Sequence, residues 1–392
     1  MSLVLVGGKV VTPFRIIEKG AVVIDGNKIY ELGKMNDVHI PDDSEVIDIS
    51  GKTVSPGFVD LLVHGGLGHG FTDGSFEDFS IISDYFLRNG STTMMASLYA
   101  KPEEELLNNI RNLADYIFSH PESNIKGIHM EGPYLNKEFK GAMNEEYLWT
   151  PTVESWKKMW GASRGLIKLM TIAPELPGAI DVMRAAANDG VVLSIGHSMA
   201  NYSEIELAID NGAAHVTHMF NAMKQLHHRQ PGVALGALLR DELKIELIAD
   251  TYHVHPAVME FLLKVKKASG IILITDSIKP GGMHEGEEFE FADQKVRISG
   301  GKAMLDNGTI AGSSLTLNKA VKNMIQHAGA KVTEAIRMAS LNGAKVLNVE
   351  NQKGILAAGK DADLVVLNDD YEVEMTIMQG RIRYQKTEEK VK

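Results

Sequence analysis

The chain has 392 residues, a formal net charge of −11 and no cysteine, and 44% of its residues are hydrophobic and 23% charged. These fractions favour a sizeable folded core over disorder, and the length predicts one large domain of about 250 residues plus a smaller one. The acidic balance and the lack of any Lys/Arg run argue against a nucleic-acid partner or an anionic membrane surface, and the lack of cysteine excludes disulfides, thiolate catalysis and cysteine-based zinc sites.

The first fifty residues predict β-structure, because short β-rich runs alternate with turns and the Asp25-Gly26 pair is typical of a type I′ hairpin. The apolar run Leu3–Val6 has neither the charged leader nor the cleavage region of a signal peptide, so we interpret it as a strand. No stretch reaches the roughly 20 apolar residues of a membrane span. We therefore predict a soluble, cytoplasmic protein without a membrane partner.

The middle of the chain changes to apolar strand-like runs followed by helical stretches, as in residues 92–97 before residues 102–119. Alternation of this kind predicts a parallel βα barrel. The last forty residues return to short β-rich runs. We predict an α/β protein with a TIM-type (β/α)8 barrel at residues 54–355 and a small β-sandwich domain formed by both termini, residues 1–53 and 356–392.

Four segments place a metal-capable residue just after an apolar strand-like run: Glu131, His197, His218 and Asp276. The active site of a TIM barrel lies at the C-terminal ends of its strands, so we expect these side chains to lie together. Two imidazoles and a carboxylate suit Zn²⁺ or a similar ion and leave a position for water, and Asp276 is then placed to act as general base and acid. The alternative is that both histidines are hydrogen-bonded core residues and that Asp276 caps a helix.

Several longer motifs are also familiar. They are PGFVD at 56–60, HMEGPYLN at 129–136, APE at 173–175, GHS at 196–198, THMFNAM at 217–223, HHRQPG at 227–232, IAD at 248–250, LITD at 273–276 and AGSSL at 311–315. Over nearly its whole length the chain resembles the N-acetylglucosamine-6-phosphate deacetylase family of the amidohydrolase superfamily. The resemblance implies hydrolysis of the acetamide of an N-acetylhexosamine 6-phosphate to acetate and the amino-sugar phosphate.

The resemblance also implies roles for single residues. Glu131, His197 and His218 match the metal ligands of the family, and Asp276 matches its acid/base residue. The positions that match substrate contacts are Ala142, Asn221, Ala222, Arg229, His253, Ile310, Ala311 and Gly312. We expect one divalent ion per chain, zinc first, with iron, manganese or cobalt as alternatives.

Arg229 and His253 match positions that hold the phosphate of a small-molecule sugar phosphate. A guanidinium can donate two hydrogen bonds to one phosphate, and it supplies a local positive charge in an acidic chain. The resemblance further implies a homodimer in which Arg229 reaches into the site of the partner subunit.

Two positions depart from the family pattern. Leu62 stands where many superfamily members have the first histidine of a His-x-His pair, so we predict that a complete second metal site is absent. His64 then has three possible roles: a vestigial ligand, a substrate contact or a hydrogen-bonded residue. Met143 stands where the family usually has a histidine that helps to polarise the substrate carbonyl.

A methionine thioether donates no hydrogen bond, and the loss of one oxyanion donor can cost about 10²–10³ in rate. Either the metal alone polarises the carbonyl, or another donor such as His64 compensates, or the preferred reaction has changed. Two further hypotheses therefore stay open: an amidohydrolase acting on a different N-acyl substrate, and a non-catalytic sugar-phosphate binder. The presence of Asp276 beside all three predicted ligands argues against the binder, which needs no base.

Overall fold

The computed structural model describes residues 2–72, 74–284, 286–292, 294–299, 302–305, 308 and 310–387. An eight-stranded parallel sheet lies at its centre, and strands consecutive in this sheet are also consecutive in the chain. In order, these strands are Phe58–Val63, Ser91–Tyr99, Ile125–Glu131, Ile167–Ile172, Val192–Ile195, Ala213–Val216, Lys244–Ile248 and Ile271–Ile274. We refer to them as the first to eighth barrel strands. They are buried along almost their whole length, as expected when both faces of a parallel sheet are covered.

The eighth barrel strand returns to the first, so the sheet curls into a nearly closed barrel. The backbone N–H of Asp276 donates to the carbonyl of Leu62 at 2.9 Å, and the N–H of His64 donates to the carbonyl of Ser277 at 2.8 Å. These bonds link the segments at the C-terminal ends of the two strands. The predicted parallel barrel of the TIM type is confirmed.

A buried carboxylate reinforces this closure. Asp60 in the first barrel strand accepts hydrogen bonds from the backbone N–H of Thr275 at 3.1 Å and from its hydroxyl at 2.7 Å. Burial raises the pKa of Asp60 to about 7, although the hydrogen bonds from Thr275 act in the opposite direction. The contact therefore joins the two strands from the side chains as well as from the backbone.

Helices cover the outside of the barrel. The helix Phe76–Arg88 begins with a capping box, in which the Ser75 hydroxyl accepts from the N–H of Asp78 and the Asp78 carboxylate accepts from the N–H of Ser75. The other α-helices in the described part of the chain are Glu103–Ser119, Val153–Ser163, Ala179–Asn188, Tyr202–Asp210, Val233–Leu239, Pro256–Lys266, Leu317–Ala328, Val332–Ala339 and Leu341–Val346. Over the residues described, none of the helices has the length and apolarity that a membrane crossing needs.

The N-terminal segment alone forms one further sheet, and both ends of the chain contribute strands to another. A four-stranded sheet has the order Lys28–Lys34, Gly20–Asp25, Leu3–Val6 and Glu45–Asp48. A six-stranded sheet has the order Arg381–Gln385, Val373–Met378, Leu364–Leu367, Thr53–Pro56, Lys9–Val11 and Ile16–Ile17. Two smaller sheets consist of Gly65–Gly66 with His69–Gly70, and of Glu288–Phe291, Gln294–Ser299 and Lys302–Leu305.

The six-stranded sheet packs on both of its faces. Alternate residues of a strand point to opposite faces. Leu364 and Val366 belong to an apolar cluster that includes Leu5 of the four-stranded sheet, whereas Val365 and Leu367 belong to the apolar cluster of the barrel. The six-stranded sheet therefore lies between the four-stranded sheet and the barrel.

A buried ion pair anchors the end of the helical region to this sheet. Lys353 is 9% exposed; it contacts the Asp363 carboxylate, and its Nζ lies 3.2 Å from Oδ2 of Asp361. Burial lowers the pKa of Lys353, but the charges and hydrogen bonds of the two aspartates outweigh that effect, so the pKa is raised. Without the lysine, the buried carboxylate of Asp363 would lose this cation, whereas Asp361 would keep its ion pair with Nζ of Lys28 at 2.6 Å.

We expect Lys353→Met to lower the free energy of unfolding by about 3–5 kcal/mol, because removing one partner of a buried ion pair leaves buried charge without compensation. Urea unfolding followed by circular dichroism measures the change. The matched control is Lys386→Met, since Lys386 pairs with Glu372 and Glu374 at the surface; its effect should stay below about 1 kcal/mol. Equal effects in both variants would contradict the importance of burial.

Candidate active site

The four residues predicted to carry the chemistry lie together at one end of the barrel. Glu131 is the last residue of the third barrel strand, and His197, His218 and Asp276 each follow a later barrel strand by two residues. All four are buried, with Asp276 the most exposed at 9%. The barrel therefore brings together, at the C-terminal ends of its strands, the residues that the sequence pattern selected.

Three of these residues have unusual backbone conformations. His197, His218 and Asp276 have φ angles of 49°, 29° and 50°, a region that residues other than glycine rarely adopt. Such conformations cost free energy and persist where the surrounding structure enforces them, often at functional sites. Here they occur at the turns that lead out of the barrel strands.

Glu131, His197 and His218 direct their side-chain atoms to one point. Oε1 of Glu131 lies 3.2 Å from Nε2 of His197 and 3.0 Å from Nε2 of His218, and the two Nε2 atoms are 3.0 Å apart. Nδ1 of His197 donates to the carbonyl of Phe139 at 2.7 Å, which leaves the Nε2 lone pair for the site. This donor set fits a divalent cation, because a carboxylate and two neutral imidazoles are ligands that such ions prefer.

The two carboxylates of the site are in different electrostatic situations. Burial alone would raise the pKa of Glu131, but hydrogen bonds from His197, His218 and His64 hold it well below its usual range. Burial raises the pKa of Asp276, and the charge of Glu131 raises it further. Glu131 is therefore the carboxylate that favours the charged form, whereas Asp276 is the one suited to exchange a proton.

The histidines respond to the same charges. Burial lowers the pKa of His218, but the hydrogen bond to Glu131 and its charge outweigh this and raise the pKa to about 9. The third histidine, His64, lies between the two carboxylates. Its Nε2 is 3.1 Å from Oε2 of Glu131 and 3.5 Å from Oδ1 of Asp276.

A cavity of about 630 Å³ adjoins this cluster, a size that suits a small-molecule ligand. Its lining includes Ala142, Asn221, Ala222, His253, Ile310, Ala311 and Gly312, all of them predicted substrate contacts. His253 is held in place by Asp250, whose Oδ2 lies 2.6 Å from Nδ1 of the imidazole. The structure thus brings these predicted contacts to the same space as the cluster, and their role in binding stays a prediction.

Arg229 is the predicted substrate contact that the structure does not bring to this cavity. It is exposed, and its guanidinium Nη1 lies 2.8 Å from Nε2 of His228. The resemblance to the family implies that Arg229 reaches into the site of a partner subunit, and this role stays a prediction.

Two lysines that the sequence analysis did not single out line the cavity, Lys137 and Lys140. Lys137 begins the short 3-10 helix Lys137–Phe139, and Nζ of Lys140 donates to the carbonyl of Met143 at 2.9 Å. An ammonium is a compact point charge of the kind that binds phosphate. The feature of the sequence that could have identified them is their position just after the HMEGPYLN motif, as cations in a chain of net negative charge.

Met143 lies in a tight turn beside the cluster. Its N–H donates to the carbonyl of Lys140 at 3.1 Å, and a Cβ atom on Gly141, whose φ is +62°, would lie 3.2 Å from Cε1 of His197. The Met143 side chain is 3% exposed and belongs to an apolar cluster with Val296 of the three-stranded sheet. The thioether therefore adds an apolar surface to the cavity wall.

The chain matches the model of the amidohydrolase family over residues 53–383. It belongs to this family. The N-acetylglucosamine-6-phosphate deacetylase of Lysinibacillus sphaericus is 36% identical over 343 residues, 86% of this chain and 87% of that protein. The enzyme of the same name from Bacillus subtilis (strain 168) is 33% identical over 387 residues, 98% of this chain and 97% of that protein.

A solved structure agrees over the same length. It is an aspartate-to-alanine mutant of N-acetyl-D-glucosamine-6-phosphate deacetylase from Mycobacterium smegmatis in complex with N-acetyl-D-glucosamine-6-phosphate. It has a TM-score of 0.92 and 30% sequence identity, and the match covers 98% of this chain and 100% of that chain. The predicted class, a metal-dependent amidohydrolase, is confirmed by the family match and these relatives.

We expect His218→Ala to lose the bound metal, because two remaining ligands hold a divalent ion poorly. Elemental analysis after dialysis should show a metal content of about one ion per chain in the unaltered protein and a small fraction of that in the variant. His227→Ala is the control, since it removes an exposed imidazole outside the cluster. Full metal content in His218→Ala would contradict the assignment of the site.

Proposed function

We propose that this protein hydrolyses the acetamide of N-acetylglucosamine 6-phosphate to acetate and glucosamine 6-phosphate. The observation that carries the proposal is a Glu/His/His cluster and a separate buried carboxylate, Asp276, in the wall of one cavity. Relatives at 36% and 33% identity that bear the name of this activity support it.

Glu131, His197 and His218 are the residues that would hold one divalent ion, for which we propose zinc, with iron, manganese or cobalt as alternatives. When bound, such an ion supplies Lewis acidity, which polarises a carbonyl and lowers the pKa of water. Asp276 accepts the proton of the attacking water while the new C–O bond forms. It then returns that proton to the amine nitrogen while the C–N bond breaks.

Recognition of the phosphate requires local cations in a chain of this net charge. We propose that His253, which lines the cavity as Lys140 does, contacts the phosphate from within the chain. We further propose a homodimer in which Arg229 supplies a guanidinium to the cavity of its partner, which its exposed position allows. The proposed substrate contacts also include Asn221, Ala222, Ile310, Ala311 and Gly312, which line the same cavity.

We also propose that the terminal segments, residues 1–53 and 356–392, form a small β-sandwich domain beside the barrel at residues 54–355. The apolar cluster shared by the four-stranded and six-stranded sheets supports this division. Residue 1 and residues 388–392 lie outside the described residues. A cytoplasmic location is part of the same proposal, in keeping with a phosphorylated sugar as substrate.

The purified, metal-loaded protein should release acetate from N-acetylglucosamine 6-phosphate, and the galacto epimer should be assayed in parallel. Asp276→Asn should lower kcat by about 10²–10⁴, because it removes the group that moves the proton, while the metal content stays unchanged. Asp181→Asn, at an exposed site on the helix Ala179–Asn188, is the control. Absence of turnover on both epimers with metal bound would exclude the proposed reaction.

Arg229→Ala should raise KM for the phosphorylated substrate by about 10–100-fold, because a hydrogen bond to a charged group contributes about 1.5–3 kcal/mol. Its kcat should change little, and hydrolysis of unphosphorylated N-acetylglucosamine should be unaffected. Arg111→Ala, an exposed arginine on the helix Glu103–Ser119, is the matched control. An unchanged KM in Arg229→Ala would favour a different N-acyl substrate without phosphate.

A further inference from the structure

His64 lies at the centre of the site, yet the proposed reaction gives it no role. Only 3% of its surface is exposed. Its backbone N–H donates to the carbonyl of Ser277 at 2.8 Å, which fixes it beside the turn that carries Asp276. Its position is therefore set by the closure of the barrel and not by a flexible loop.

The ring of His64 faces acceptors. Its Nε2 lies 3.1 Å from Oε2 of Glu131 and 3.5 Å from Oδ1 of Asp276. His64 stands apart from Glu131, His197 and His218, whose ligand atoms all lie within 4.8 Å of one another. An ionised carboxylate only accepts hydrogen bonds, so the contacts of Nε2 with two carboxylates favour a hydrogen on that nitrogen. A nitrogen that donates in this way has no lone pair for a cation.

The two carboxylate oxygens of Glu131 contact different histidines. Oε1 faces His197 and His218 at 3.2 and 3.0 Å, whereas Oε2 faces His64. Each carboxylate oxygen has two lone pairs, but a hydrogen bond to one oxygen makes that oxygen the weaker ligand for an ion. The contact with His64 therefore favours ligation through Oε1 alone.

Leu62 makes a different role for His64 unfavourable. Residues two apart on a strand share a face, and Leu62 precedes His64 by two residues at the end of the first barrel strand. Leu62 is fully buried and apolar and supplies no ligand atom. A second ion near His64 would have to bind beside a hydrocarbon side chain.

We propose that His64 is a positioning residue whose Nε2–H holds Oε2 of Glu131 and reaches Asp276. It stands in the space between the two carboxylates, where a second cation would otherwise bridge them. As a result, Glu131 ligates through a single oxygen, and Asp276 remains apart from the cluster and available for proton transfer. The inference rests on the proposed cation site and is independent of the identity of the substrate.

Metal-free protein titrated with Co²⁺ tests this inference directly. The readouts are ions bound per chain, the dissociation constant from competition with a chelator, and the visible spectrum of the bound cobalt, which responds to the number of ligand atoms. His64→Leu removes the donor at similar size. His64→Asn is the matched conservative variant, because its amide keeps an N–H donor.

We expect about one ion per chain in the unaltered protein and in both variants. His64→Leu should weaken cobalt affinity about 10–100-fold, the usual effect of losing a hydrogen bond to a metal ligand, and should shift the visible spectrum because Oε2 is released. His64→Asn should keep a cobalt affinity within about tenfold of that of the unaltered protein, and it should show the same visible spectrum. Unfolding followed by circular dichroism verifies that each variant is folded.

Two results would overturn the inference. One is two ions per chain in the unaltered protein and one in His64→Leu, which would make His64 a ligand. The other is unchanged affinity and spectrum in a folded His64→Leu. If His64→Leu does not fold, a loss of more than about 100-fold in folded His64→Asn would still exclude the donor role. A failure of the acetate assay leaves these metal readouts unaffected, so the two proposals fail separately.

Discussion

The contact between the first and eighth barrel strands is the constraint on which the site depends. It links the backbones of Leu62 and Asp276 and thereby places His64 beside Asp276. Glu131 comes from the third strand, on the same rim of the barrel. Because each of these groups is supplied by a different strand, His64 and Asp276 come together beside Glu131 only once the sheet has closed.

Closure of the barrel also explains why the two buried carboxylates of the site, Glu131 and Asp276, differ in pKa. The negative charge of each carboxylate disfavours ionisation of the other, so the two are not equally charged. Hydrogen bonds from three imidazoles lower the pKa of Glu131, whereas the pKa of Asp276 is raised. The backbone at His197 and His218 is strained where these side chains converge on the site, and the packed barrel around them holds this conformation in place.

Much of this arrangement could be predicted from the sequence because the signals are local. An apolar run followed at once by a polar residue identifies the end of a barrel strand, which led to Glu131 and Asp276 without knowledge of their distance. Lys140 carried no such signal, because its position depends on a loop whose path is set by contacts such as that between Phe139 and His197. The terminal β-strands were likewise predicted, but their pairing across the whole chain joins residues too far apart for any local pattern to specify.

That long-range pairing has a consequence for how the protein is made. The strand Thr53–Pro56 pairs with Leu364–Leu367, so roughly 300 residues must leave the ribosome after the first strand before the second is available, about 15–60 s at usual rates of translation. During that interval the edge of the nascent N-terminal sheet is open to pairing with another chain. The last strands to be synthesised therefore protect the first ones from aggregation, and a nascent chain that is released early lacks that protection.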